Sequence, residues 1–184
     1  TTVDKNGNES SALERVVAFG TGRLLDEVDI ADTGVQSAYV LKDAGKTIPA
    51  SAWRNAATMA EQTLTRIGGV SGAYAVGGTE VDLSTQDGWY VDFKLNTGER
   101  VNLDPKIVSG GLNIVTNLPS SSSSCKVGGT SNVYQLNVCT AAPLSQTVTT
   151  GTGTGTGTGS GSGGQSVTIA GQTLSNSSAA VGFI

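Results

Sequence analysis

Residues 16–33 read VVAFGTGRLLDEVDIADT, an apolar run closed by Gly20-Thr21-Gly22-Arg23 and followed by four acids, Asp26, Glu27, Asp29 and Asp32. Three kinds of chemistry use such residues. A phosphate loop brings backbone N–H groups to an anion, a metal site gathers the acids around a cation, and a bend leaving a sheet needs only the freedom of the glycines. The glycine pair lacks the third glycine of a dinucleotide fingerprint and the Gly-Lys-Ser/Thr of a phosphate loop, which disfavours phosphate even with Arg23 beside it. Asp26, Asp29 and Asp32 are the calcium candidates, but calcium loops alternate their ligands around a glycine at the sharp turn. The competing reading has these carboxylates accepting hydrogen bonds from backbone N–H groups in a surface loop.

Two further groups invite a chemical reading. Asp4, Asn6 and Asn8 have the first, third and fifth spacing of a calcium loop, yet Glu9 stands where glycine belongs and Arg15 where the bidentate glutamate belongs, so a solvated tail is the better reading. Cys125 and Cys139 are the only cysteines, with Gly128-Gly129 between them to turn the chain back, and in an exported protein they suit a structural disulfide. Such a bridge would close a loop of about fifteen residues and stabilise by roughly 3 kcal/mol before strain.

Composition narrows the field. The 184 residues contain no histidine, which removes the usual general base near neutral pH, the usual zinc ligand and every Ser/His or Cys/His nucleophile pair. With 11 basic against 15 acidic residues, the surface does not attract polyanions broadly, so nucleic acid is not an expected partner. Only 14% of residues are charged, and Gly, Ser, Thr, Asn and Val are frequent, a profile of secreted β-rich proteins. There is no apolar run long enough for a membrane helix and no signal-like pattern at Thr1, so export is expected to be handled upstream or the chain to be a mature fragment. The apolar finish at Ile184 predicts that the chain continues in the full protein.

The elements that would position these residues follow from periodicity. Residues 1–12 read as a polar tail or loop, ahead of strands over 14–19 and 36–41. Across 51–67, Trp53, Ala57, Ala60, Leu64 and Ile67 fall near a helical stripe and predict a short helix, although Thr63 and Thr65 would suit a strand equally well. GWYVDFKLNTGERVNL predicts a hairpin with strands at 89–95 and 99–103, because Trp89, Val91 and Phe93 alternate with Tyr90, Asp92 and Lys94 before an Asn-Thr-Gly turn. Trp53, Trp89, Tyr90 and Phe93 could also stack on a sugar or a base, but their alternation makes packing the default. Further strands fit 107–117 and 132–139. The Thr/Gly/Ser block 150–164 has no side chain to anchor a core and reads as a flexible loop, after which SVTIAGQTL and SSAAVGFI resume strand character. The total is one all-β unit, residues 13–184.

Read in order, FGTGRLLDEVDIADTGVQSAYVLKD, AEQTL, DGWYVDFKLNTGERVNLDPKI and TNLPSSSSSCKVGGTSNVYQLNV resemble the C-terminal β-propeller of PilY/PilC-type type IV pilus assembly and tip adhesin proteins. The resemblance covers about residues 15–138. It implies a partial β-propeller of short antiparallel strands and long loops, two to three blades' worth at ~40–45 residues each. It also implies an architectural role for Gly20, Gly22 and Arg23 at the point where a strand leaves the sheet. The family's Asp-x-Asp calcium loop and an Arg-Gly-Asp motif are absent from these residues, and the Cys125–Cys139 bridge is inferred from spacing and not inherited.

The implied function is that of a non-enzymatic extracellular component of a Gram-negative type IV pilus, acting in pilus biogenesis and in adhesion from the pilus tip. Its expected partners are pilin, minor pilins and a host or abiotic surface receptor, with no cofactor unless calcium binds. Two alternatives stand beside it: an independent cell-surface fibre or carbohydrate-binding β module, whose unpaired sheet edges would recruit strands, and a quinoprotein-like propeller enzyme.

Overall fold

The computed structural model describes residues 2–3, 9–10, 15–43, 45, 54, 58–68, 71–120, 128–144, 147–150, 165–168 and 170–174. Their elements in chain order are β1 (Thr2–Val3), β2 (Glu9–Ser10), β3 (Arg15–Gly20), α1 (Glu27–Ala31), β4 (Ser37–Asp43), β5 (Met59–Arg66) and β6 (Ala73–Gly78). There follow β7 (Gly88–Asp92), β8 (Lys106–Val108), β9 (Gly111–Ser120), β10 (Gly128–Asn137), β11 (Thr147–Thr150), β12 (Gln165–Thr168) and β13 (Gly171–Leu174). Nine strands form one sheet in the order β3-β4-β7-β5-β6-β13-β10-β9-β8, while β1 pairs with β2 and β11 with β12 in separate two-stranded ladders.

The all-β expectation agrees with this architecture, and the propeller does not. A propeller blade is a four-stranded sheet repeated around a channel. Here the strands run on as one sheet whose order departs from chain order, with β5 and β7 paired in parallel and the other neighbours antiparallel. Short alternating strands joined by Gly/Ser/Asn turns fit a sandwich, a barrel or a propeller alike, because they carry no information on which strand pairs with which.

β7 shows how the sheet is organised. Its sequence GWYVD is flanked by β4 on one edge and β5 on the other. A strand inside a sheet covered on both faces loses the polar side of its alternation. Trp89 and Val91 accordingly enter the main core with Val40, Ala60, Leu64, Ile114 and Tyr134, while Tyr90 joins Tyr39 and Met59 in a smaller cluster. The Trp89 indole N–H donates to the Val138 carbonyl at 2.8 Å, satisfying the one polar atom that this burial would otherwise strand. With both edges occupied, β7 cannot take the hairpin partner expected at 99–103. That segment instead turns at Gly98 (φ +80), and Arg100 makes an isolated bridge to Asn117 of β9.

The helix expected over 51–67 is also replaced. β5 occupies Met59–Arg66, burying Ala60, Gln62 and Leu64 and exposing Glu61, Thr63 and Thr65, a period of two. The β-branched threonines on the solvent face tip this stretch toward strand, and pairing with both β6 and β7 completes it. Of the remaining residues in 51–57, Arg54 alone is described, so Trp53 lies outside the described residues. Among the described residues the only helix is α1, five residues long.

The 107–117 strand is divided by a tight turn at Ser109-Gly110, both at positive φ (+49 and +79), which makes β8 and β9 a hairpin. The Thr/Gly/Ser block is bracketed by the β11–β12 ladder, with Thr150 already inside β11, and residues 151–164 lie outside the described residues.

Candidate functional site

The most heavily built polar region lies where β3 ends. Thr21 is held to β4 by its N–H to the Ser37 carbonyl at 2.8 Å and by its Oγ1, which accepts from the Ser37 N–H at 2.8 Å. On its other side the Thr21 carbonyl accepts from the Val101 N–H at 2.9 Å. The segment 100–101 is thereby tied to β9 through Asn117 and to the end of β3, which are distant in strand order, so the curled sheet is laced across at this end.

The two glycines make that approach sterically feasible. A Cβ on Gly20 would lie 2.2 Å from the Val101 Cβ, and one on Gly22, at φ +113, would lie 2.4 Å from the Arg100 Cβ. Both distances are far inside van der Waals contact, and the Gly22 conformation excludes most L side chains in its own right.

Arg100 is 1% exposed, yet it pairs with no carboxylate in any hydrogen bond of the structure described. Its guanidinium donates to four main-chain carbonyls instead: Gly98 at 3.0 Å through Nε, Arg23 at 2.9 Å and Asp29 through Nη1, and Asp32 at 2.7 Å through Nη2. The planar fork of five donors suits this task, since each carbonyl lies in a different direction and a point-like ammonium would reach fewer of them. Three of the four acceptors belong to the loop that contains α1, so Arg100 anchors that loop from beneath.

The acids of the loop secure it from above. Asp26 is the N-cap of α1 in a capping box with Asp29, its Oδ1 accepting from the Glu27 N–H at 2.6 Å. Asp29, 6% exposed, accepts from the Leu25 N–H at 2.8 Å, the Asp26 N–H at 3.1 Å and the Arg23 Nε at 2.9 Å. The Leu25 N–H first, and then Arg23, hold the Asp29 carboxyl down at about 2, well below its ordinary 3.8. Asp32 Oδ1 accepts from the Gly34 N–H at 2.8 Å. The three calcium candidates thus face backbone N–H groups, and among the described residues no three His, Cys, Asp or Glu side chains converge as a metal would require.

On the core side of the same turn lies Glu99, 1% exposed. Its Oε1 accepts from Thr116 Oγ1 at 2.6 Å, Asn132 Nδ2 at 2.8 Å and the Tyr134 hydroxyl at 2.8 Å, and its Oε2 accepts from Asn96 Nδ2 at 2.8 Å. A buried carboxylate is tolerated when its lone pairs are met in this way. Burial, and then the negative Glu99 beside it, push the Tyr134 phenol above its ordinary range, so its proton stays in place as a donor.

Neither Glu99 nor Arg100 stands out in the sequence as a buried residue. Two adjacent charges after a glycine turn read as solvated, and only a count of the partners brought in from 23–32 and 96–134 reveals them. Of the aromatic residues that could stack on a sugar or a base, the three described ones are covered, Trp89 at 0%, Phe93 at 2% and Tyr90 at 7% exposed, the last with the Arg54 guanidinium 4.1 Å from its ring centre. Cys139 is half-buried against the main core, its N–H donating to Asn137 Oδ1 at 2.8 Å, and its proposed partner Cys125 lies outside the described residues.

The arrangement therefore holds a surface loop on the β sheet through main-chain and side-chain hydrogen bonds. The chain is similar to the type IV pilus biogenesis factor PilY1 homolog of Xylella fastidiosa (strain Temecula1 / ATCC 700964). The two are 32% identical over 136 residues, which is 71% of this chain and 11% of the PilY1 homolog. The chain thus spans about a tenth of that relative's length. No family model and no solved structure matches the chain.

Proposed function

We propose that this chain is a non-enzymatic part of a type IV pilus system, acting in pilus biogenesis and, from the pilus tip at the surface of a Gram-negative bacterium, in adhesion. The observation that carries the reading is the identity to the PilY1 homolog across 136 residues, a protein named for pilus biogenesis. The local architecture suits a binding role, because a loop fixed by Arg100 and Asp29 on a β scaffold is how surface recognition is commonly built. Its partners on this reading are pilin and minor pilins, with a host or abiotic surface receptor at the tip, and calcium is the one cofactor this reading leaves open.

Deletion of the coding region in the source bacterium, with surface pili counted by electron microscopy and attachment measured in parallel, tests this. Loss of pili assigns biogenesis. Normal pili with lost attachment assign tip adhesion alone, and no change in either overturns the pilus reading.

A further inference from the structure

The loop that Arg100 anchors carries three of the largest exposed apolar residues of the described chain: Leu25 at 73%, Val28 at 65% and Val35 at 56% exposed. Single exposed apolar residues are ordinary on a protein surface. Three of them within eleven residues, on a loop held by a buried guanidinium, a capping box and a buried carboxylate, are a different observation. The contacts of Arg100 and Asp29 fix the main chain of 23–32 and leave the Leu25 and Val28 side chains facing water, with Val35 exposed three residues beyond Asp32. Pre-organisation of that kind lowers the entropy lost on binding, since the loop is ordered before the partner arrives.

Charge indicates what the partner looks like. Arg23 is neutralised by Asp29 at 2.8 Å, which leaves Asp26, Glu27 and Asp32 exposed among the apolar residues. A complementary surface would present apolar groups ringed by lysine or arginine.

We propose that the 23–35 loop is a protein-docking surface, with Leu25, Val28 and Val35 as its apolar contacts, for a partner whose matching face is apolar and rimmed by basic residues. The inference rests on the pilus reading for where that partner is found. It adds the face of this chain that meets the partner.

The test uses pili sheared and purified from the wild-type strain, mixed with the purified, epitope-tagged chain and sedimented, with bound chain read by its tag. The wild-type chain is expected to co-sediment, less so as salt rises from about 50 to 500 mM, because exposed charges are screened over that range. Leu25→Ser/Val28→Ser/Val35→Ser should lose at least about tenfold in binding with an unchanged melting temperature, since surface substitutions of this kind leave stability nearly untouched. Glu27→Lys should weaken binding severalfold at low salt only.

As a control, Ile107→Ser/Val108→Ser, on the exposed edge strand β8, should bind as the wild type does. If the wild-type chain binds and the triple variant binds equally well, the loop is not the interface, and the pilus reading survives. If the wild-type chain fails to bind pili, the docking proposal falls, and the pilus reading is decided separately by the deletion phenotype. A dimer in sedimentation equilibrium that the triple variant abolishes would assign the loop to a second copy of this chain and overturn the basic partner.

Discussion

Replacing Arg100 by methionine keeps the length of its buried stem and removes the guanidinium, leaving the carbonyls of Gly98, Arg23, Asp29 and Asp32 without the donors they now share. A hydrogen bond from a charged donor contributes roughly 1.5–3 kcal/mol net, so simple addition over the four would overshoot. Two effects reduce the sum. The methionine does not carry the desolvation cost of a buried cation, and the loop it abandons is at the surface, where it opens and hydrates its carbonyls.

The expected net loss is about 3 kcal/mol, which for a chain of this size corresponds to a fall in melting temperature of roughly 6–12 °C. Lysine at the same position should recover only about 1 kcal/mol, since its three donors leave from one point. Urea unfolding followed by circular dichroism reads the global term, and amide exchange over residues 27–32 reads the local one. An Arg100→Met chain within about 0.5 kcal/mol of wild type, with unchanged exchange in that stretch, would refute the claim that the guanidinium holds the loop.

Two further outcomes follow from the same turn. Glu99→Gln keeps the shape but substitutes an amide N–H₂ for one oxygen, which sets a donor against either Asn96 Nδ2 or the three donors now on Oε1; a loss of about 2 kcal/mol is expected in urea titration, and a variant as stable as wild type would mean that the cluster tolerates a neutral acceptor. Asp29 binds its proton more weakly folded than unfolded, about 2 against 3.8, so its contribution is complete above about pH 4 and is lost as pH falls from there through 2; the melting-temperature gap between wild type and Asp29→Asn should therefore be constant from pH 7 to 4 and close between 4 and 2, and a gap that persists at pH 2 would show that the carboxylate's charge is not its source.

Strand positions were legible wherever alternation was local. The strands expected at 14–19 and 36–41 are β3 (Arg15–Gly20) and β4 (Ser37–Asp43), displaced by one or two residues. β10 (Gly128–Asn137) contains most of the stretch expected at 132–139. Pairing was not legible. Nothing in GWYVDFKLNTGERVNL states that β7 will be flanked by β4 and by a parallel β5, and its nearest turn signal pointed to a hairpin that those neighbours exclude. The stripe at 51–67 failed for a related reason: Ala60 and Leu64 fit both a helical face and one side of a strand, and β6 and β7 decided between them. Burial of charge was hidden in the same way, because Glu99 and Arg100 are buried by residues as far away as Asn132, Tyr134 and Arg23.

The adjacency of Glu99 and Arg100 explains why the Gly-Thr-Gly-Arg and Gly-Glu-Arg phrases belong together. In an extended segment successive side chains point to opposite sides. Glu99 therefore enters the core beneath β9 and β10, where Thr116, Asn132 and Tyr134 meet it, and Arg100 faces the other way, under the carbonyls of the α1 loop. Val101, next in line, occupies the space that a side chain on Gly20 would need, and the Arg100 stem occupies the space of one on Gly22. The two phrases lie 77 residues apart, from Arg23 to Arg100, yet neither can be placed without the other. A surface loop fastened to the core of the sheet through two consecutive residues is free to vary in what it presents to solvent while its main-chain path stays fixed.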